Sequence, residues 1–414
     1  MKIWITILVL FVGLTNMFGQ QLLEQKNQEL YELKQREKQL LKEIEELKLK
    51  ACLNMMQVVG YPKAERELEV VEHAAMVIGF DCEYRMASWV FHVLTPDVSF
   101  GNVTRTNDFR QDELLTCESA VELDYFLKIE KPDGTYAYDG FGFDRGHLAP
   151  SADFRWSYTA LSESYFYSNM TPQRNEFNQH SWAELEGLLR RIVDQERRSF
   201  YIITGPVLRA DLPQVPRSLH GIKIPELHYK IIVDISEDKP RGMAFLMPNR
   251  KADQRLSNYV VSIDSVERLT GLNFFPMLSA EMEERIESKA DFNAWQTQSK
   301  DGDVEPIQAT DLPKGHFNTE MARMKVGQTV TIVGKVVSTK YLDKSHATFL
   351  NLDQSFPNQI FTVIIWKDGR RNFSYPPEVE LEGKYIAVTG KVELDNNGVP
   401  KITVTREGQI VVWE

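Results

Sequence analysis

The stretch Phe143-Asp144-Arg145-Gly146-His147-Leu148-Ala149-Pro150 sets a titratable ring beside a permanent cation and a carboxylate. Histidine ordinarily titrates near neutrality, which suits His147 to take a proton from water. The Arg145 guanidinium forks onto phosphate oxygens and stays charged. Gly146 between them lets the backbone pass close to a ligand or take a strained dihedral. Asp144 can hold a neighbouring group by hydrogen bonding. Together these groups meet the needs of a reaction at phosphorus. The competing reading is a surface turn with a satisfied histidine, and only context separates the two.

That context lies downstream. Ser168-Asn169-Met170-Thr171-Pro172-Gln173 is followed by Asn178-Gln179, Trp182 and Leu185-Glu186. The spacing predicts a helix from Ser181 to Arg198, with Trp182, Leu185 and Leu189 on one apolar face. Asn178, Trp182 and Glu186 lie four apart, and Arg190 extends the row, so Asn178 and Glu186 can approach one site. A neutral Asn carbonyl, completed by water and substrate phosphate, suits Mg²⁺, which keeps much of its hydration shell. Alternatively Asn178 is an N-cap and Glu186 a solvated side chain. A cap and a ligand use nearby geometry, so both readings hold together.

With Thr204-Gly205-Pro206 and Met247-Pro248-Asn249, these motifs resemble the DNA/RNA non-specific endonuclease family, whose members share a ββα-metal finger. The resemblance runs from about Ala87 to Pro276. It implies that His147 is the general base, aligned through its other ring nitrogen. Asn178 would be the direct protein ligand of Mg²⁺ (or Mn²⁺), and Glu186 would hold a water of the ion's shell. Asn169 would support the site by hydrogen bonding, and the metal would act as a Lewis acid on the leaving oxygen. Arg145 and Arg190 would contact phosphate or offset its charge. Arg155 and Arg174 are further candidates for substrate contact, weighed against plain solvation, and His180 reads as a surface histidine. One departure stands out. An upstream phosphate-binding arginine of some secreted members falls at Asn107 here, flanked by Arg105 and Arg110, which leaves that role open.

The 414-residue chain, 43% hydrophobic and 26% charged, suits a globular protein of two or three units. Its formal net charge of -11 argues against a broad polyanion-binding surface but not against an enzyme with a local cationic site. Lys2, the apolar run Ile3 to Val12, and small or polar residues near Gly13, Thr15 and Gly19 form a secretory signal pattern. Export to the periplasm or the medium is therefore expected, without stable membrane insertion after cleavage. Among Cys52, Cys82 and Cys117, a Cys82–Cys117 bridge and three unpaired thiols are both open.

From Gln21 to Lys50 the chain lacks Gly and Pro. Leu23, Leu30, Leu33, Leu40, Ile44 and Leu47 fall on one heptad seam, which either pairs with a second chain as a homodimer or docks on the chain's own catalytic domain. Helical spacing is read at Glu65 to Ile78, and strands at Ser88–Leu94, Phe200–Thr204, Lys230–Ile235 and Met243–Met247. Glu281 to Asp303 reads as helix then linker. Beyond Gly315, strands at Thr329–Ser338, Ala347–Leu352, Phe361–Ile365, Tyr385–Leu394 and Lys401–Thr405 suggest a closed barrel of the OB type. A short helix at Pro377–Leu381 interrupts them, and Asn396-Asn397-Gly398 gives a hairpin turn. Phe349, Phe361, Trp366 and Phe373, with Lys367, Arg370 and Arg371 nearby, offer either stacking surfaces for single strands or ordinary core.

The expected organisation is a signal peptide (1–19), a coiled-coil-like helix (20–57), an α+β ββα-metal nuclease domain with a central antiparallel sheet (58–285), a linker (286–314) and an OB-like barrel (315–414). The expected activity is Mg-dependent hydrolysis of DNA and RNA. Its rivals are a phosphodiesterase acting on nucleotides and a nucleic-acid-binding protein with a degenerate nuclease domain.

Overall fold

The computed structural model describes residues 2–295, 302–356, 358–395 and 398–413, with side chains from residue 20 onward. It divides into two compact units, Met1–Met55 and Met56–Glu414. Lys2–Val59 is one continuous α-helix, as its content of strong helix formers dictates. Gly60 follows at φ +78°, a left-handed stop that glycine takes without a β-carbon clash. The seam residues Leu23, Leu30, Leu33, Leu40, Ile44 and Leu47 are all exposed. Among the described residues, no helix is long and apolar enough to cross a membrane.

The second unit is built on a seven-stranded antiparallel sheet. Its order is Val260–Val261, Arg241–Pro248, Leu227–Asp234, Phe200–Pro206, Met86–Leu94, Met76–Asp81 and Glu69–Glu72. The helix expected over Glu65 to Ile78 is not there. Glu69–Glu72 and Met76–Asp81 are strands, and Val77 and Ile78 are fully buried between neighbours. Helical spacing lost to β-branched residues that pack against Trp89, Val90 and Phe91 across the ladder. Cys82, just past this hairpin, is bridged to Cys117.

Strand alternation gives the sheet two different faces. On one, Met243, Phe245 and Met247 pack with Trp182, Leu185, Leu189 and Ile192 of the long helix that ends at Glu196. Each such fully buried side chain contributes roughly 1.5–3 kcal/mol. On the other, a β-carbon on Gly242 would strike the Ile286 carbonyl oxygen at 2.3 Å and Ile263 Cδ1 at 2.8 Å. Helices Ile263–Thr270 and Ala280–Glu287 therefore cover that second face.

The C-terminal strands close into a barrel. Thr329–Leu342 pairs with both Ala347–Leu352 and Tyr385–Leu394, and Phe361–Ile365 runs parallel to Pro400–Val404. A register shift between Val336 and Ser338 bends the long first strand so that it serves both sides. His316–Asn318 and Ile410–Val412 add edges not foreseen. Asn396 and Asn397 of the expected hairpin turn lie outside the described residues. Phe361 fills the core, Phe373 packs against it, Arg370 is paired with Glu378, and Trp366 alone of the four aromatics is exposed. Phe349 is half-buried edge-on to Trp366, and Lys367 and Arg371 beside it are exposed. The barrel is tied to the long helix by Arg323–Glu184 at 2.6 Å and by Gln195 donating to Asn358 at 2.6 Å.

Candidate active site

Asp144–His147 and Met170–Gln173 form an antiparallel two-stranded ribbon, and the long helix follows. The ribbon explains Gly146. A β-carbon there would sit 2.1 Å from Gln173 Cδ, so the glycine serves close packing against its partner strand rather than ligand approach. Alternation puts Arg145 and His147 on one side of the ribbon, Asp144 on the other.

On the first side, the Arg145 guanidinium lies 3.6 Å from the Phe109 ring centroid, and the His147 ring packs edge-on against Tyr165 (4.9 Å) and Phe109 (5.8 Å). His147 Nε2 is buried without a hydrogen-bond partner. The expected alignment through that nitrogen is thus replaced by aromatic packing. Burial, reinforced by Arg105 and Arg145, pushes the ring down to about 3, which keeps it unprotonated at neutral pH. The backbone just after it is held firmly. Asn169, fully buried, accepts from the Ala149 N–H (2.9 Å) and donates to the carbonyls of Ala149 (2.9 Å) and Ser164 (2.8 Å). Lys230 Nζ donates to the Leu148 carbonyl at 3.1 Å. Asn169 is therefore a brace whose polar atoms all go to backbone.

On the second side, Asp144 Oδ2 accepts from the amides of Asn178 (3.0 Å), Asn175 (3.3 Å) and Gln179 (3.3 Å). Asn178 is neither free loop nor simple cap. It sits in a π-helical turn, Phe177–Trp182, that runs into the α-helix Ala183–Glu196. Such wide turns recur at functional sites. Here the turn sends Trp182 into the core while Asn178 and Glu186 remain half-buried. Among the described residues, Glu186 makes no hydrogen bond to protein. Burial raises its carboxyl to about 7, opposed by Lys230 and Arg190 and reinforced by Asp153.

Beneath Glu186 lies a charged layer that the sequence did not announce. Arg190 Nη1 donates to Asp153 Oδ1 at 2.7 Å, and His92 Nε2 lies 3.1 Å from Asp153 Oδ2. Burial works to raise Asp153, but Arg190 and His92 outweigh it and hold the carboxylate low. Arg190 is thus committed to Asp153. Arg105, left open by the sequence, donates to the Tyr165 hydroxyl at 3.1 Å, and its charge acts on both His147 and Glu186. Arg110 instead pairs with Asp108 and covers Phe166. Arg155 is exposed and donates to the Val103 carbonyl; Arg174 is exposed over Phe143. His180 borders a separate cleft of about 1120 Å³ between the long helix and the barrel, which contains none of His147, Asn178 or Glu186. The signal that could have found Lys230 was a lysine between Tyr229 and the apolar run Ile231–Val233 of a buried strand.

The family model for DNA/RNA non-specific endonucleases matches residues 56–281. The chain belongs to this family. It is 28% identical over 224 residues to mitochondrial endonuclease G of Bos taurus, covering 51% of this chain and 71% of that protein. Nuclease C1 of Cunninghamella echinulata var. echinulata is 32% identical over 240 residues, covering 53% and 86% respectively. A nuclease of Serratia marcescens is 28% identical over 236 residues, covering 56% and 84%. In each case the matched share of this chain is about half, so the similarity says nothing of the barrel or the first helix.

Proposed function

We propose that this protein is an exported Mg²⁺-dependent endonuclease that cleaves internal phosphodiesters of DNA and RNA without strong sequence preference. One observation carries the reading. Asn178, on the helix that carries the half-buried and unbonded Glu186, donates to Asp144 on the strand that also carries His147, so one helix and one strand bring the three groups together. The Cys82–Cys117 bridge supports export, since disulfides persist in oxidising compartments.

The donor set fits a hydrated hard cation. Asp144 takes the amide N–H of Asn178, which leaves the carbonyl oxygen Oδ1 without a protein donor among the described residues, and Glu186 offers an unbonded carboxylate. Asn178 would hold Mg²⁺ directly and Glu186 through water. Bound there, the ion would supply Lewis-acid stabilisation at the leaving oxygen. The chain's own residues do the rest. His147, kept unprotonated, takes the proton of the attacking water through Nδ1, because Nε2 is the buried nitrogen. Arg105 and Arg145 offset the charge that gathers on the phosphoryl oxygens. The products would carry 5′-phosphate ends.

Incubating the purified protein with supercoiled plasmid and with RNA tests this reading. Nicking followed by fragmentation in Mg²⁺, abolished by EDTA, is expected. Cleavage that ignores EDTA, or none under any divalent ion, would overturn it.

A further inference from the structure

The second face of the sheet carries a different kind of charge cluster. A carboxylate oxygen from each of Asp264, Glu267 and Glu287 lies within 4.8 Å of the others. Asp264 and Glu267 stand on helix Ile263–Thr270, and Glu287 is the last residue of helix Ala280–Glu287. The Ile286 carbonyl presses against Gly242, so the backbone presenting Glu287 is fixed. Glu287 is only 7% exposed, and its Oε1 is fully buried with no hydrogen-bond partner. Burial first, then Glu267, Glu283 and Asp264, push its carboxyl up to about 8. The end of a helix, where unpaired carbonyls gather, adds further negative potential. An unpaired buried carboxylate among other carboxylates is costly, and a cation removes the cost.

We infer that Asp264, Glu267 and Glu287 form a structural Ca²⁺ site that clamps the two helices of the non-catalytic face together. Calcium is the ion of choice because a cage of several protein carboxylates suits its high, flexible coordination by oxygen. Magnesium prefers one or two carboxylates and keeps its waters. Among the described residues the other cluster of metal-ligand types, Glu69 with Cys82 and Cys117, is no rival, since both sulfurs are joined in a disulfide. The site lies across the sheet from His147, and its role is stability rather than chemistry.

The test is thermal unfolding of the full chain without substrate, in EGTA and in calcium chloride at about 1 mM. Calcium is expected to raise Tm by roughly 2–4 °C. Glu287→Gln should lose this rise yet be no less stable than wild type in EGTA at neutral pH, because the carboxyl, raised to about 8, is mostly protonated there and the amide keeps its shape and neutrality. Asp264→Asn, on the other helix, serves if Glu287→Gln fails to fold. Asn178→Ala should keep the full rise, which separates this site from the proposed active site. Equilibrium dialysis against calcium alone should find one more ion on wild type than on Glu287→Gln. A wild-type Tm indifferent to calcium, or a Glu287→Gln protein that keeps the rise, would overturn the inference. Because no substrate is present, failure of the nuclease reading leaves this result intact.

Discussion

Both faces of the central sheet bury carboxylates, and they treat them in opposite ways. On the face beneath the long helix, Asp153 is met by Arg190 at 2.7 Å and by His92 at 3.1 Å, with Lys230 close by. On the other, Glu287 is raised first by burial and then by Glu267, Glu283 and Asp264, with no cation to oppose them. Compensated charge of the first kind is architecture, because each group needs its partner to be tolerable. A buried carboxyl of the second kind, with no cationic partner, stays protonated unless a cation comes from outside. Glu186 stands between the two cases, raised to about 7 although Lys230 and Arg190 oppose the shift.

The largest expected effect concerns His147. His147→Ala should lower plasmid cleavage by about 10²–10⁴-fold. The loss of ring packing against Tyr165 and Phe109 should lower the urea midpoint but leave a cooperative transition, so the folded variant can be assayed. Wild-type turnover in a folded variant would remove the ring from the mechanism. Next is Asp153→Ala, which strands Arg190 and His92 and should cost about 3–5 kcal/mol in urea unfolding. Glu287→Gln, at the same burial on the opposite face, should cost nothing in EGTA. Equal losses from the two substitutions would erase the contrast between the faces.

What the sequence allowed and what it hid follow the same division. Asp144, His147, Asn178 and Glu186 were legible because their chemistry is local to a strand, a turn and a helix, and motifs preserve such spacing. The barrel strands were legible from β-branched runs, with Ala347–Leu352 and Phe361–Ile365 matching to the residue. Lys230, Asp153 and His92 were not, because three separate elements deliver them and only tertiary structure brings them together. The strands over Glu69–Glu72 and Met76–Asp81 were misread for a related reason. Just one residue of the outer strand, Val71, is buried, so the period-two signal is too short to compete with accidental helical spacing. The π turn at Phe177–Trp182 follows no periodicity that a heptad or strand template detects.

A smaller effect probes the ion's outer support. Asp144→Ala frees the Asn178 amide to rotate, so the Mg²⁺ concentration for half-maximal cleavage should rise by about 10–100-fold. Asn178→Ala should weaken the same titration at least as much. An unchanged titration in both would break the link between the ribbon and the ion.

The smallest effect tests how dry the catalytic face is. His228 is fully buried, bonded to Thr171 Oγ1 at 3.0 Å, with Nδ1 unpartnered. Burial, with Lys230 adding, takes it from an ordinary 6.5 down to about 3. Below pH 6.5 the unfolded chain therefore binds a proton that the folded chain refuses. The stability from this group is complete above that value and drains away as pH falls toward 3. Between pH 7 and 5.5 the loss should be about 1 kcal/mol. His228→Gln keeps a donor for Thr171 and cannot titrate, so its urea midpoint should fall less over that interval. Glu186 works with the opposite sign. Its folded carboxyl holds a proton up to about 7, against an ordinary 4.5, so it adds stability as pH falls through that window. If wild type and His228→Gln lose stability in parallel, water reaches the ring, and the catalytic face is less sealed than its packing indicates.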